Sequence, residues 1–317
     1  MKRVNQREPR DRVPDKSIAV AIACFNQGHY LAEAIQSVLA QTCPPDEIIL
    51  VDDGSTDCTC ELAATFPSVI YVYQSNAGLS AARNTALALT QAARILFLDA
   101  DDLLRPGALA AAERCLNADP KRAFVHGAYV IVDDCRVLLS RHQAMMVASP
   151  FLELLRGNYI AMHGTVLYDV ARLRDSGGFD INLSSCEDYD VYLRLTRRYP
   201  VGAYAEEAAE YRRQDQGLST NALRMIATSR AVIRHHAKSL RQDPAYRSAA
   251  RHGLDFMTEY YAANLLETLR RAHLVGRHRQ ALIHLARDMR THPAAILPTA
   301  AQLLRLSLQA AVRRLRQ

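Results

Sequence analysis

The sequence predicts an α/β fold: a doubly wound, mostly parallel sheet with a C-terminal helical extension. Three observations predict it. Short apolar runs alternate four times with amphipathic segments between residues 18 and 99, joined by short connections. Three of those runs end in turn-forming or acidic residues, as expected at the edge where open α/β sheets bind ligands. From about Asn221 the apolar pattern takes the helical period.

Ile18–Cys24 is short and apolar, a strand, and Phe25-Asn26-Gln27-Gly28 is its turn. Leu31, Ile35, Val38 and Leu39 recur at helical spacing and stop before Pro44-Pro45. Residues 47–51 form a second strand, closed by Asp52-Asp53-Gly54-Ser55-Thr56-Asp57, which combines turn residues with a helix N-cap. A short helix reaches Phe66, Val69–Tyr73 is the third strand, and residues 78–90 are alanine-rich and helical. Arg94–Asp99 is the fourth strand, and each crossover is expected to be right-handed.

After Pro106 a helix is expected to about Asn117, then a strand over residues 123–132 with Asp133-Asp134 as its turn. Residues 136–150 read as irregular, 151–156 as a helix, 161–168 as apolar, and 200–209 as a short strand. Tyr192, Leu195 and Tyr199 mark a helix that Glu187 and Asp188 open, where the helix dipole favours carboxylates. Helices follow from about Asn221 to Met289, interrupted near Asp243-Pro244 and Gly276. A last amphipathic helix is expected over residues 298–315, with Leu303, Leu304 and Leu308 on one side and Arg305, Arg313 and Arg316 on the other. The expected domains are a disordered basic segment over 1–16, an α/β domain over 17–220 and a helical extension over 221–317.

Composition narrows the function. With 49% hydrophobic and 23% charged residues, the chain has material for a globular core. No stretch reaches the roughly 18 apolar residues of a membrane span, and residues 1–16 lack the apolar core of a secretory signal. Seven cysteines are scattered apart from Cys58 and Cys60, so reduced thiols in a cytosolic protein are expected and a zinc site is not. The net charge is +6. Residues 1–16 carry six Lys/Arg and three Asp/Glu, and residues 291–317 carry four Arg and no acid, giving +3 and +4 and leaving the body at −1. Basic ends on a near-neutral body argue against a nucleic-acid partner and fit an anionic membrane surface better.

The chemistry gathers at Ile95-Leu96-Phe97-Leu98-Asp99-Ala100-Asp101-Asp102. A buried strand delivers three carboxylates to the sheet's ligand edge. If strand geometry persisted, Asp99 and Asp101 would share a face and Asp102 would oppose them. Crowded carboxylates suit a divalent cation with phosphate ligands, and the alternative is an acidic turn capping the next helix. There is no G-x-G-x-x-G after the first strand and no G-x-x-x-x-G-K-[ST], which weakens dehydrogenase and NTPase readings.

Six runs then occur in order: Val20-Ala21-Ile22-Ala23-Cys24-Phe25-Asn26; Ile49 to Asp57; Asn76-x-Gly78 with Ala82-Arg83-Asn84; Leu98 to Asp102; Gly177-Gly178-Phe179-Asp180; and Glu187-Asp188-Tyr189-Asp190. Together, over residues 17–220, they resemble the family 2 glycosyltransferases of GT-A fold. The resemblance implies inverting transfer of a sugar from a nucleotide-diphosphate sugar, UDP-linked by preference, to a glycan or lipid-linked acceptor, assisted by Mn²⁺ or Mg²⁺. It implies that Asp53 accepts the imide N–H of uracil, that Ala23, Phe25 and Asn26 border the base, and that Arg83 lies near the nucleotide. Asp99 then faces the ribose or the metal, Asp101 binds the metal, and Arg212 or Arg213 contacts the diphosphate. Asp188 resembles the general base, with Glu187 as the near alternative, and His163 and Gly178 fall on the acceptor side. Cell-envelope polysaccharide or lipid-linked glycan assembly is the family-level setting. The expected location is cytoplasmic, with the inner membrane face as an alternative, and the oligomeric state stays open. The chain lacks Q-x-x-R-W, which argues for single additions rather than polymer extrusion. A catalytically idle nucleotide-sugar-binding protein is the competing reading. A sugar nucleotidyltransferase is the third, and it would need a Gly-rich, Arg-containing loop that Phe25-Asn26-Gln27-Gly28 does not provide.

Overall fold

The computed structural model describes residues 16–214, 221–274, 278–303 and 305. The strands are β1 (Ile18–Cys24), β2 (Glu47–Asp52), β3 (Val69–Tyr73), β4 (Arg94–Asp99), β5 (Leu103–Leu104), β6 (Phe124–Val132), β7 (Leu138–His142), β8 (Val166–Asp169) and β9 (Gly202–Arg212). The helices are α1 (Gly28–Leu39), α2 (Thr59–Ala63), α3 (Leu79–Leu89), α4 (Ala108–Asn117), α5 (Pro150–Arg156), α6 (Val170–Asp175), α7 (Glu187–Thr196), α8 (Ala222–Ala237), α9 (Pro244–Leu274) and α10 (His278–Thr291).

The nine strands of the described residues form one sheet in the order β3-β2-β1-β4-β8-β6-β9-β5, with β7 paired to β6. From β3 to β4 the pairing is parallel, and beyond β4 it is mixed. β1, β2 and β4 are almost continuously buried because helices cover both faces, so their sequences do not alternate. Ile18, Val20, Ile22, Ile48, Leu50, Leu96 and Leu98 pack with Leu31, Ile35 and Val38 of α1 and Leu109 and Leu116 of α4. Side chains of opposite parity, such as Ile49, Val51, Ile95 and Phe97, are buried on the other face.

Two expectations change here. Residues 136–150 are not wholly irregular, since Leu138–His142 form β7. Its exposed apolar run gives no alternation, and its pairing comes from β6 alone. The strand expected over 200–209 runs to Arg212 because it pairs along β6 to the end of that strand.

The chain divides into two compact units. One holds residues up to 150 together with 159–214, and the other holds 151–158 together with 215 onward. In the second unit α5 buries Phe151, Leu154 and Leu155, and the Phe151 ring lies 5.8 Å from that of Tyr246. A Cβ on Gly253 would come within 2.1 Å of the Leu155 carbonyl oxygen, so α9 carries glycine where the backbone of α5 crosses it. Among the described residues no helix is long and apolar enough to cross a membrane. The basic segment expected over 1–16 and most of the helix expected over 298–315 lie outside the described residues, and so does the break expected near Gly276.

Candidate active site

The site is built where the parallel strands end. β1 ends beside β2 with Cys24 opposite Asp52, and Ala23 stands in register with Asp99 of β4. Phe25 leaves the strand half exposed, and Asn26 takes a left-handed φ of 54°, a conformation that asparagine tolerates. The Asn26 amide donates to Ser55 Oγ at 2.9 Å, and its Oδ1 accepts from the Thr56 amide at 2.8 Å, so the loops after β1 and β2 are stitched together.

The loop after β3 is stitched on next. Asp52 accepts from the Tyr71 hydroxyl at 2.7 Å and from the Ser55 amide at 2.8 Å. Asp53 accepts from Gln74 Nε2 at 2.7 Å and from the amides of Ala77 and Gly78 at 2.9 and 2.8 Å. Gly54 has φ +86°, and a Cβ there would lie 2.8 Å from the Asn76 amide nitrogen, so only glycine lets these loops meet.

The acidic turn does not continue the strand. β4 stops at Asp99, and the Asp102 amide donates to the Asp99 carbonyl at 3.1 Å, closing a turn. Asp99 is partly exposed at the sheet edge. Asp101 Oδ2 accepts from Gln214 Nε2 at 2.9 Å. Burial and the Asp99 charge push Asp101 up to about 6. Asp102 is buried and accepts from the Arg212 amide at 2.9 Å. Burial, with Asp101 and Asp99 nearby, raises it well above the ordinary carboxylate range. The expected sharing of a strand face by Asp99 and Asp101 is thus replaced by turn geometry.

Arg83 joins this turn to a second pair of carboxylates. It is buried on α3, and its Nη2 donates to Asp99 at 2.8 Å while Nη1 donates to Glu187 at 2.5 Å. Its guanidinium carbon lies 5.6 Å from the centre of the Phe179 ring. Glu187 opens α7 after Cys186, whose φ is 59°. Asp188 follows, with Oδ1 accepting from the Tyr189 amide at 2.7 Å. Burial, and then the Glu187 charge, push Asp188 up to about 7 while Arg83 opposes the shift. Of the two candidate bases, Glu187 is tied up by Arg83 and Asp188 is the one held near neutrality.

Three expected site residues are placed differently. Arg212 is buried, with Nε donating to the Asp101 carbonyl at 3.1 Å, Nη1 to the Asp134 carbonyl at 3.2 Å and Nη2 to Glu33 at 2.8 Å. Its guanidinium carbon stands 4.6 Å from the Tyr30 ring centre. All three nitrogens are engaged within the protein, so Arg212 braces the acidic turn, and the exposed arginine is Arg213. His163 is a core residue. Its Nε2 lies 3.0 Å from the Tyr168 hydroxyl, and its ring packs 5.5 Å from those of both Phe97 and Phe179. Burial, then the nearby Arg83, drives it well below the ordinary histidine range, so it is neutral. Gly178 has φ +66°, a Cβ there would lie 2.6 Å from Asn84 Oδ1, and its carbonyl accepts from Arg194, all of which fit a turn that seats α7.

Sequence reading missed Gln74 and Thr85, which hold Asp53, and Tyr30, Glu33 and Asp134, which hold Arg212. These are single polar residues on helix turns and loops, where no periodicity marks them.

Among the described residues no three His, Cys, Asp or Glu side chains converge as a metal cage. Asp99 and Asp101 still suit a hard cation. They offer carboxylate oxygens only, and they stand two residues apart in one turn at the edge of the sheet. Mg²⁺-type sites commonly take one or two carboxylates and complete their shell with phosphate and water.

The model of the glycosyl transferase family 2 matches residues 19–176, about half the chain. The chondroitin synthase of Escherichia coli is 31% identical over 196 residues, covering 60% of this chain and 27% of that protein. An uncharacterized glycosyltransferase of Rickettsia typhi is 28% identical over 235 residues, covering 70% of this chain and 72% of that protein. The chain spans about a third or less of the length of the first relatives it matches. Among solved structures, S. aureus TarS 1-349 in complex with UDP-GlcNAc superposes with a TM-score of 0.54 at 16% identity, covering 84% of this chain and 90% of that one. The mannosyltransferase PcManGT of Pyrobaculum calidifontis, in complex with GDP-Man and Mn²⁺, gives 0.56 at 20% identity, covering 94% and 90%. Their likeness shows a shared GT-A fold, and the family match, with the sequence relatives, shows that this chain belongs to the family 2 glycosyltransferases.

Proposed function

We propose that this chain transfers a sugar, with inversion, from a nucleotide-diphosphate sugar to an acceptor hydroxyl. The observation that carries the reading is the Arg83 bridge. One guanidinium bonds both Asp99 at the acidic turn and Glu187 at the start of α7. The acidic turn suited to a cation that would hold the donor diphosphate and the start of α7, where Asp188 follows Glu187, therefore belong to one connected site.

In this reading Asp53 receives the base, with Phe25, Ala23 and Asn26 around it. Asp99 and Asp101 hold a divalent cation, Mn²⁺ or Mg²⁺, and Arg212 and Asp102 keep their turn in shape. When bound, the cation neutralises charge developing on the departing diphosphate. Asp188 takes the proton from the acceptor hydroxyl, and a pKa near 7 suits a general base working near neutral pH. Attack from the face opposite the diphosphate inverts the anomeric carbon. The two solved relatives hold different nucleotides, UDP-GlcNAc in one and GDP-Man in the other. A glycan or lipid-linked acceptor in envelope assembly, at the inner membrane face, is the setting we favour. The basic terminal segments of the sequence support it.

The test is a screen of donor turnover across UDP-, GDP- and dTDP-sugars with Mn²⁺. Turnover that is lost in Asp101→Ala and in Asp188→Asn is expected. Tight donor binding with no turnover under any acceptor would favour the idle binding protein instead.

A further inference from the structure

Asp53 already carries three donors. Gln74 Nε2 and the Ala77 amide donate to Oδ1, and the Gly78 amide donates to Oδ2. A carboxylate has about four lone-pair sites. Oδ1 is therefore filled, and Oδ2 has one site left. The residue is only 4% exposed, so the opening is narrow as well as single.

Gln74 is held in turn. Its Oε1 accepts from Thr85 Oγ1 of α3 at 2.6 Å, which turns the amide nitrogen toward Asp53. One Nε2 hydrogen serves Asp53, and the second has no partner among the described residues. A lone acceptor site thus lies beside a spare donor. The strands flanking β2 end in exposed rings, Phe25 after β1 at 48% and Tyr73 of β3 at 57%, and these provide flat apolar surface for a base.

We propose that Gln74, fixed by Thr85, makes Asp53 a one-donor acceptor and so selects donors whose base has a single imide N–H, uracil or thymine, against guanine. The proposal rests on the donor reading above and names its base. An imide N–H fills the last site on Oδ2, and the carbonyl beside it accepts from Gln74. Guanine presents two N–H groups side by side. A free carboxylate takes both, one on each oxygen, but here Oδ1 is closed and the second N–H is buried without a partner. Such a loss weakens binding by about ten- to a hundredfold.

Titration calorimetry of the full chain with UDP, dTDP and GDP, with Mn²⁺ present, tests this. UDP and dTDP are expected to bind alike, and GDP about ten- to a hundredfold more weakly. Gln74→Met removes the amide at similar length, and Thr85→Val releases it. Both should narrow the UDP-to-GDP ratio. Because the ratio is taken within each variant, a partial loss of folded protein cancels. Equal affinity of the wild type for GDP and UDP overturns the proposal and leaves the donor reading standing. A ratio unchanged in both variants also overturns it. Failure of all three nucleotides to bind defeats the donor reading and this proposal together.

Discussion

Arg83 and Glu187 are 104 residues apart in sequence, and their side chains meet at 2.5 Å. The same guanidinium reaches Asp99 at 2.8 Å. Asp188 sits next to this pair, so its proton affinity reflects both partners.

Asp188 should set the acid limb of the pH profile. Its pKa is about 7, and a base acts in its deprotonated form, so the rate should rise with pH through about 7. Glu187 raises that pKa and Arg83 lowers it. Glu187→Gln should therefore move the limb to lower pH, and Arg83→Met to higher pH. Asp188→Asn should slow the chemical step about 10²–10⁴-fold with little change in donor binding. Profiles of kcat against pH check the set, and a flat profile between pH 5 and 9 removes Asp188 from the role of base.

Asp101→Ala should abolish metal-dependent transfer and leave the fold intact. The sign of its effect on stability can also be worked out. Burial beside Asp99 raises the pKa of Asp101 from an ordinary value of 3.8 to about 6. The folded state binds the extra proton, so this contribution to stability is full below about 4 and is lost as the pH rises through 6. At pH 7, without metal, the variant should melt at or above the wild type, and that advantage should vanish near pH 4. Melting curves at the two pH values decide it.

Arg212→Met should cost about 2–3 kcal/mol of stability. It removes three charged hydrogen bonds and a contact with the Tyr30 ring, and it leaves the Asp101 and Asp134 carbonyls without that donor. Arg213→Met, at an exposed position, should change stability by less than about 0.5 kcal/mol. Denaturant midpoints of the two variants give the comparison. Equal midpoints would return Arg212 to the role of a diphosphate contact.

His163→Phe should keep transfer and acceptor KM while costing about 1 kcal/mol for the lost Tyr168 contact. A raised acceptor KM with unchanged melting would put His163 back on the acceptor side.

The strands that build the site were legible because burial on both faces leaves continuous apolar runs in β1, β2 and β4. The acidic edge was legible because β4 runs straight into Asp99. The orientation of Asp101 and Asp102 was not, since a turn closed by a backbone hydrogen bond leaves no trace in side-chain alternation. The burial of Arg212 and His163 was not legible, for a common reason. A lone Arg or His reads as functional in sequence, whereas its burial depends on partners far along the chain, such as Glu33 and Phe97. Gln74 escaped notice because its importance lies in filling a lone pair on Asp53.

The crossing of α5 by Gly253 also bears on synthesis. The chain lays down Leu155 and does not make its partner until 98 positions later. At about 5–20 residues per second, the ribosome takes roughly 5–20 s to cover that interval. Through that time Phe151 lacks the ring of Tyr246 and the Leu155 carbonyl lacks the glycine of α9 that it packs against. The nascent chain thus carries an apolar turn whose α9 neighbours are not yet made. A chaperone that grips short apolar segments has its natural foothold there, and a stop codon before α9 would leave that foothold permanently open.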